Sequence, residues 1–220
     1  MEFILVIVAV ILAGLIGWML KQSFNTQPWV AETVGESANQ APLGASAKVV
    51  GLTTLLAVIT SFFALIVSAY ALRMDFGDWI PLAEPRLLWI NTILLMLASV
   101  AFQWTRNAAV RDEASRLKPG LILTGVLTIA FIAGQLIAWR QLGAAGQYIS
   151  SNPANGFFYL LTGVHALHII GGMYVWARAT LRVTGGAAAA AVRESIELCT
   201  VYWHFLLLVW LFLFGMLLST

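Results

Sequence analysis

Polar residues interrupt this chain at wide intervals, and the stretches between them are apolar enough to cross a membrane. A spanning helix needs about 20 mostly apolar residues to cover roughly 30 Å of hydrocarbon. Six segments meet that need, at residues 3–20, 49–72, 87–104, 121–139, 157–176 and 196–218. The pattern predicts an all-α fold, a polytopic transmembrane helical bundle of six spans. Residues 1–21 read as an N-terminal anchor helix, 22–47 as a polar connector and 48–220 as a five-helix membrane domain. The first span has no basic stretch before it, no small-residue cleavage site after it, and Lys21 directly behind it, so it is expected to be retained as an anchor. The connector is rich in Gln, Ser, Asn and Ala, holds one aromatic residue, Trp29, and lacks helical periodicity. It reads as a flexible link or an arm that orders on a partner. Turn signals stand at residues 151–156 and at Gly185-Gly186 with the alanine run 187–191. No repeat of fixed period and no paired, broken half-helices of the transporter kind occur in the sequence.

Composition supports the same class. Of 220 residues, 60% are hydrophobic and 10% charged, where an ordinary soluble domain has about a quarter charged. The near balance of 12 Lys and Arg against 10 Asp and Glu excludes a charge-driven disordered chain, and a single cysteine, Cys199, excludes a disulfide framework. Scattered basic residues and a net charge of +2 give no phosphate-tracking surface, so nucleic acid is not an expected partner.

The placement of those basic residues sets an orientation, because loops rich in Lys and Arg stay in the cytoplasm. Lys21, Lys48, Arg106, Arg111, Arg116, Lys118, Arg178, Arg182 and Arg193 follow the odd-numbered spans, whereas only Arg73, Arg86 and Arg140 follow the even-numbered ones. Both termini are therefore expected on the non-cytoplasmic side. Trp79, Trp89, Trp104, Trp139 and Trp176 fall near span ends, where an indole favours the headgroup level.

Ionisable or strongly polar groups at membrane depth are the place to look for function. His165 and His168 are three apart and share a helix face; Glu197 and His204 are seven apart and share a face of the last helix. At about 1.5 Å of rise per residue, His168 lies roughly 16 Å and His204 roughly 21 Å from the outer ends of their spans, so the two are able to meet near mid-membrane. Glu197 then sits near the cytoplasmic interface, about 10 Å from His204 along the axis, too far for both to hold one ion. A metal or haem site is one reading of these imidazoles. Interhelical hydrogen bonding is the other, and it is favoured. Three histidines and one distant carboxylate fall short of a carboxylate-rich di-metal pattern, and no Cys-x-x-Cys-His haem attachment is present. Gln135 is the amide well inside the fourth span and is expected to bond a neighbouring helix. Phosphate loops, dinucleotide turns and nucleophile elbows are absent from the sequence.

Several ordered motifs resemble a known family. Phe157-Phe158-Tyr159-Leu160-Leu161-Thr162-Gly163-Val164-His165-Ala166-Leu167-His168 resembles the penultimate helix of subunit III of the haem–copper oxidases, the cytochrome c oxidase type. Tyr202-Trp203-His204-Phe205, followed by Val209-Trp210-Leu211-Phe212, resembles that family's last helix. Ser61-Phe62-Phe63-Ala64, Pro85 with Leu88-Trp89-Ile90-Asn91-Thr92, and Gly134-Gln135 with Trp139 resemble the three helices before these. The last five spans thus look like the family's core, and their orientation from charge is the family's own. The resemblance implies a subunit without haem or copper of its own, those groups residing in partner subunits. It implies packing beside catalytic subunit I, with subunit II in the same complex, and bound phospholipid. It further implies a bacterial inner (plasma) membrane location and a role in assembly, stability and proton uptake of subunit I during aerobic electron transport. Two positions depart from the family: Ile59 stands where larger members carry a glutamate, and Leu207 where many carry an aspartate, so roles tied to those carboxylates do not transfer. Subunits of quinol oxidases and nitric oxide reductases share this fold and the last-helix motifs and form the alternative within the class. A free-standing transporter or channel is the alternative from another class.

Overall fold

The computed structural model describes residues 47–81 and 86–219. The predicted first span, all but the last residue of the predicted connector, and Pro85 lie outside the described residues. Five helices long and apolar enough to cross a membrane are described: α1 (Ala47–Met74), α2 (Leu87–Val110), α3 (Ala114–Ala144), α4 (Pro153–Thr184) and α5 (Ala189–Leu218). No strand occurs among the described residues. Residues 47–61 fall in one compact unit and 62–219 in a second, which contains everything described below.

The helices outrun the apolar segments that announce them. The segment at residues 121–139 becomes the 31-residue α3, and 157–176 becomes the 32-residue α4. A helix does not stop where hydrocarbon stops: its ends continue through the headgroup layer wherever polar side chains remain good helix formers, as at Arg116, Lys118 and Gln141. Both predicted turn clusters are shorter in the structure. Residues 153–156 form the first turn of α4, with Pro153 at the position that needs no N–H. Asn152 is the cap, its side chain accepting from Ala154 N at 3.1 Å. Its amide nitrogen also donates to the carbonyl of Ile80, joining the start of α4 to the segment after α1. At the other cluster α5 begins at Ala189, and the bend between α4 and α5 is made at Gly186, whose φ of +84° suits glycine.

Helices α2 to α5 close a ring: α2 packs on α3 and α5, and α4 packs on α3 and α5. Short connections make each neighbour antiparallel. The side-chain pairs agree, because Asn91, near the start of α2, meets Gln135, near the end of α3. The second half of α1 lies against α4 through rings. Phe63 is 5.7 Å from His168, and Tyr70 is 5.4 Å from Phe157 and 4.9 Å from Trp79. Where α1 ends, Arg73 forms a two-pronged pair with Asp78 at 2.7 and 2.5 Å. That guanidinium holds the Asp78 carboxyl below the usual carboxylate range.

The ring is apolar outside and mostly apolar inside, with a set of polar side chains buried among Phe102, Phe131, Phe158, Leu161 and Leu206. Its outward side chains are apolar, with Val100, Leu167 and Leu181 all about two-thirds exposed, as a surface facing hydrocarbon requires. Its interior holds Asn91, Thr92, Ser99, Thr105, Thr124, Thr128, Gln135, Thr162, His165 and Thr200, all buried. Glycines bring the backbones together at chosen levels. A side chain on Gly125 would strike the indole of Trp176, and one on Gly172 would sit 2.7 Å from the ring of Tyr202.

Candidate functional site

A buried threonine hydroxyl is costly unless it is hydrogen-bonded. Here each hydroxyl donates to the carbonyl four residues earlier: Thr92 to Leu88 at 2.8 Å, Thr128 to Thr124 at 2.8 Å and Thr162 to Phe158 at 2.7 Å. At these three the oxygen lone pairs left over receive indoles from other helices. Trp210 Nε1 of α5 donates to Thr92 of α2 at 2.9 Å, Trp203 Nε1 of α5 to Thr128 of α3 at 3.3 Å, and Trp139 Nε1 of α3 to Thr162 of α4 at 3.1 Å. One device, an indole resting on a threonine that rests on its own helix, thereby joins α5 to α2, α5 to α3 and α3 to α4. Trp176 extends it with a bond from Nε1 to the carbonyl of Leu121 at 3.0 Å.

The histidines take three different environments. His204 of α5 faces α2: its Nδ1 lies 2.5 Å from Ser99 Oγ and its Nε2 lies 3.1 Å from Gln103 Oε1. Gln103 then donates to Asn107 at 3.1 Å, so a polar chain descends along a shallow groove of about 590 Å³ that Met96 and Val100 also line. His168 keeps to α4. Its Nδ1 lies 2.8 Å from its own helix's Val164 carbonyl, its ring leans on Phe63, and its backbone carbonyl accepts from the Tyr202 hydroxyl at 3.0 Å. The sequence-based expectation that His168 and His204 can meet near mid-membrane is not realised. Their depths are compatible, but His204 is turned toward α2 and His168 toward α1. His165 is fully buried, with its ring 5.2 Å from Trp210 and 6.1 Å from Phe131.

Glu197 stands apart from all three. It accepts from Arg193 Nε at 3.2 Å, one turn toward the start of α5, in a half-exposed pair. Glu197 therefore belongs to the end of the helix and not to the interior network. Gln135 bonds across helices, as an accepting partner for Asn91 Nδ2 at 3.3 Å. Among the described residues no group of three His, Cys, Asp or Glu stands close enough to hold a metal ion. Cys199 is buried without a thiol partner.

The tryptophans also divide. Trp89 and Trp104 are about half exposed, as span-end anchors should be. Trp139 and Trp176, read from sequence as anchors of the same kind, direct their N–H groups into the α3–α4 seam instead. Of the motif residues, Asn91, Thr92, Tyr202, Trp203 and Trp210 all lie in the interior and make the bonds just described. Sequence reasoning missed Ser99, Thr128 and Thr162 as partners. Their only signal was polarity within an apolar run, which does not say which neighbour a residue faces.

Fold and interior together define a polytopic α-helical membrane protein whose polar groups are largely engaged between helices. The family model described as "Cytochrome c oxidase subunit III" matches residues 40–218, and the chain belongs to that family. It is 28% identical over 181 residues to "Probable cytochrome c oxidase subunit 3" of Mycobacterium tuberculosis (strain ATCC 25618 / H37Rv), covering 81% of this chain and 88% of that protein. It is 29% identical over 170 residues to "Cytochrome c oxidase subunit 3" of Corynebacterium diphtheriae, covering 76% of this chain and 82% of that protein. The match spans all five described helices, and as a subunit III the chain is one component of a multisubunit respiratory oxidase.

Proposed function

We propose that this chain is a subunit III that carries no redox centre and acts by packing on the catalytic subunit I of a haem–copper oxidase. Subunit II stands in the same particle, which reduces oxygen in a bacterial plasma membrane. Its effect is to hold subunit I in an assembled, stable form and to sustain proton uptake from the cytoplasmic side. The observation that carries this reading is the set of polar bonds that join one helix to another. Both ring nitrogens of His204 lie within bonding distance of Ser99 and Gln103 of α2, the Tyr202 hydroxyl of α5 donates to the His168 carbonyl of α4, and three indoles are fastened to three threonines of other helices. Groups so occupied serve helix packing, with each interhelical bond worth roughly 0.6 to 2 kcal/mol at membrane depth.

Two further features support the picture. The side of the ring bearing the α2–α3 and α4–α5 connections carries Arg106, Arg111, Arg116, Lys118, Arg178, Arg182 and Arg193, which orients that side to the cytoplasm and Ser219 to the opposite side. The exposed apolar faces offer contact to phospholipid chains. The test is substitution inside the assembled oxidase. His168→Leu and His204→Leu are expected to lower the yield or thermal midpoint of the complex and to leave the haem spectrum of what assembles unchanged. A displaced haem absorption band in either variant would refute the proposal. Solute flux through liposomes holding this chain alone would favour the channel reading instead.

A further inference from the structure

Six buried side-chain atoms have no hydrogen-bond partner among the described residues; Trp79 Nε1 and Gln147 Oε1 belong to the segments between helices, and the other four lie within the bundle. These four are Asn91 Oδ1, Gln135 Nε2 and both ring nitrogens of His165. All three residues are buried, His165 and Asn91 completely. They come from α2, α3 and α4, and they sit at one level of the ring. Asn91 and Gln135 are bonded to each other. The α3–α4 seam pairs Trp139 with Thr162 and Leu121 with Trp176, and that antiparallel register sets His165 opposite the turn from Phe131 to Gln135. Trp210, which rests on Thr92 beside Asn91, also packs on His165.

The chemistry of the set is specific. Asn91 Oδ1 is an acceptor and Gln135 Nε2 a donor. Neutral His165 adds one of each, and exchanging the oxygen and nitrogen within both amides leaves the tally the same. A cation would meet an amide N–H and no carboxylate; an anion would meet an acceptor oxygen and no fixed positive charge. A small ligand that both donates and accepts satisfies the group, and an unpaired buried donor or acceptor costs roughly 1 to 3 kcal/mol. We infer that Asn91, Gln135 and His165 form a binding site for ordered water within the membrane-spanning bundle, joining α2, α3 and α4 at the level of Trp210. The absence of a side chain at Gly134 suits this arrangement, because a Cβ there would displace the Asn91 amide. A water with two to four protein bonds is a structural component rather than solvent.

The site stands whether or not the proposed role is correct, so its test uses the particle that purifies with this chain, whatever its other subunits. A cryo-electron microscopy map fine enough to show ordered water is expected to place density within hydrogen-bond distance of a His165 ring nitrogen and of the Asn91 or Gln135 amide. Ring nitrogens that meet only carbon or direct protein partners would overturn the inference, and so would water bound to His165 alone. A second measurement compares thermal midpoints of His165→Leu, Gln135→Leu and the pair. Residues that share one ligand are expected to give a double variant whose loss is smaller than the two single losses together; simple addition of the two would count against the shared site.

Discussion

The smallest unit of this structure is an indole donating to a threonine hydroxyl that is itself anchored to its own helix. Removing one hydroxyl strips Trp210 of its acceptor while leaving its ring in place. Thr92→Val is therefore expected to destabilise the purified protein by roughly 1–2 kcal/mol, read from thermal unfolding in detergent, and Thr92→Ser to recover most of that loss. Equal loss in both variants would show that the methyl group matters and the hydroxyl does not. At this scale the sequence identifies the participants better than the partners. His165, His168, His204, Gln135 and the Tyr-Trp-His run stand out as polar or aromatic groups at membrane depth. Pairing is a property of helix rotation, and mean apolarity on every side of a span leaves rotation undetermined. That is why Ser99 as the partner of His204 emerges only with the fold, whereas the distance of Glu197 from His204 along the axis is already legible from helical rise.

At the scale of elements, close approach and capping decide how helices meet. Gly125 lets the indole of Trp176 cross α3 and bond to Leu121. Gly125→Val is expected to force the α3–α4 seam apart and cost about 2 kcal/mol or more, typical of overpacking, seen as a lowered midpoint and greater proteolysis of the 145–152 connection. Asn152→Ala removes a cap and a tie to Ile80, for an expected loss of about 1 kcal/mol. The Arg73–Asp78 pair adds a pH dependence whose sign is fixed by the depressed carboxyl. Its contribution is present above the unfolded Asp value, near 4, and is lost as pH falls through the lower folded value. The midpoint difference between the native protein and Asp78→Asn should accordingly be largest near neutrality and vanish in acid. Helix existence and order were readable from apolar runs, since five expected spans coincide with five helices. Their ends were not, because lipid-driven hydropathy ends before helical hydrogen bonding does, as the extra turns at Ala114 and Pro153 demonstrate.

For the whole molecule, the described fold is a ring of four helices with the second half of α1 against α4, and its family makes it one subunit of a respiratory enzyme. Polar bonds join α2 to α5 across a mostly apolar core, and the outer faces are apolar. The family was visible in ordered motifs from Ser61 to Trp210, whereas the larger particle lies beyond what one chain's sequence or fold displays. The most direct test of the central claim is to tag this chain, purify it under mild detergent, and determine which polypeptides and how much haem and copper accompany it. The account expects a haem–copper subunit in fixed proportion, with all haem and copper retained by that partner when the two are separated. Stoichiometric haem or copper remaining on the isolated chain would contradict it.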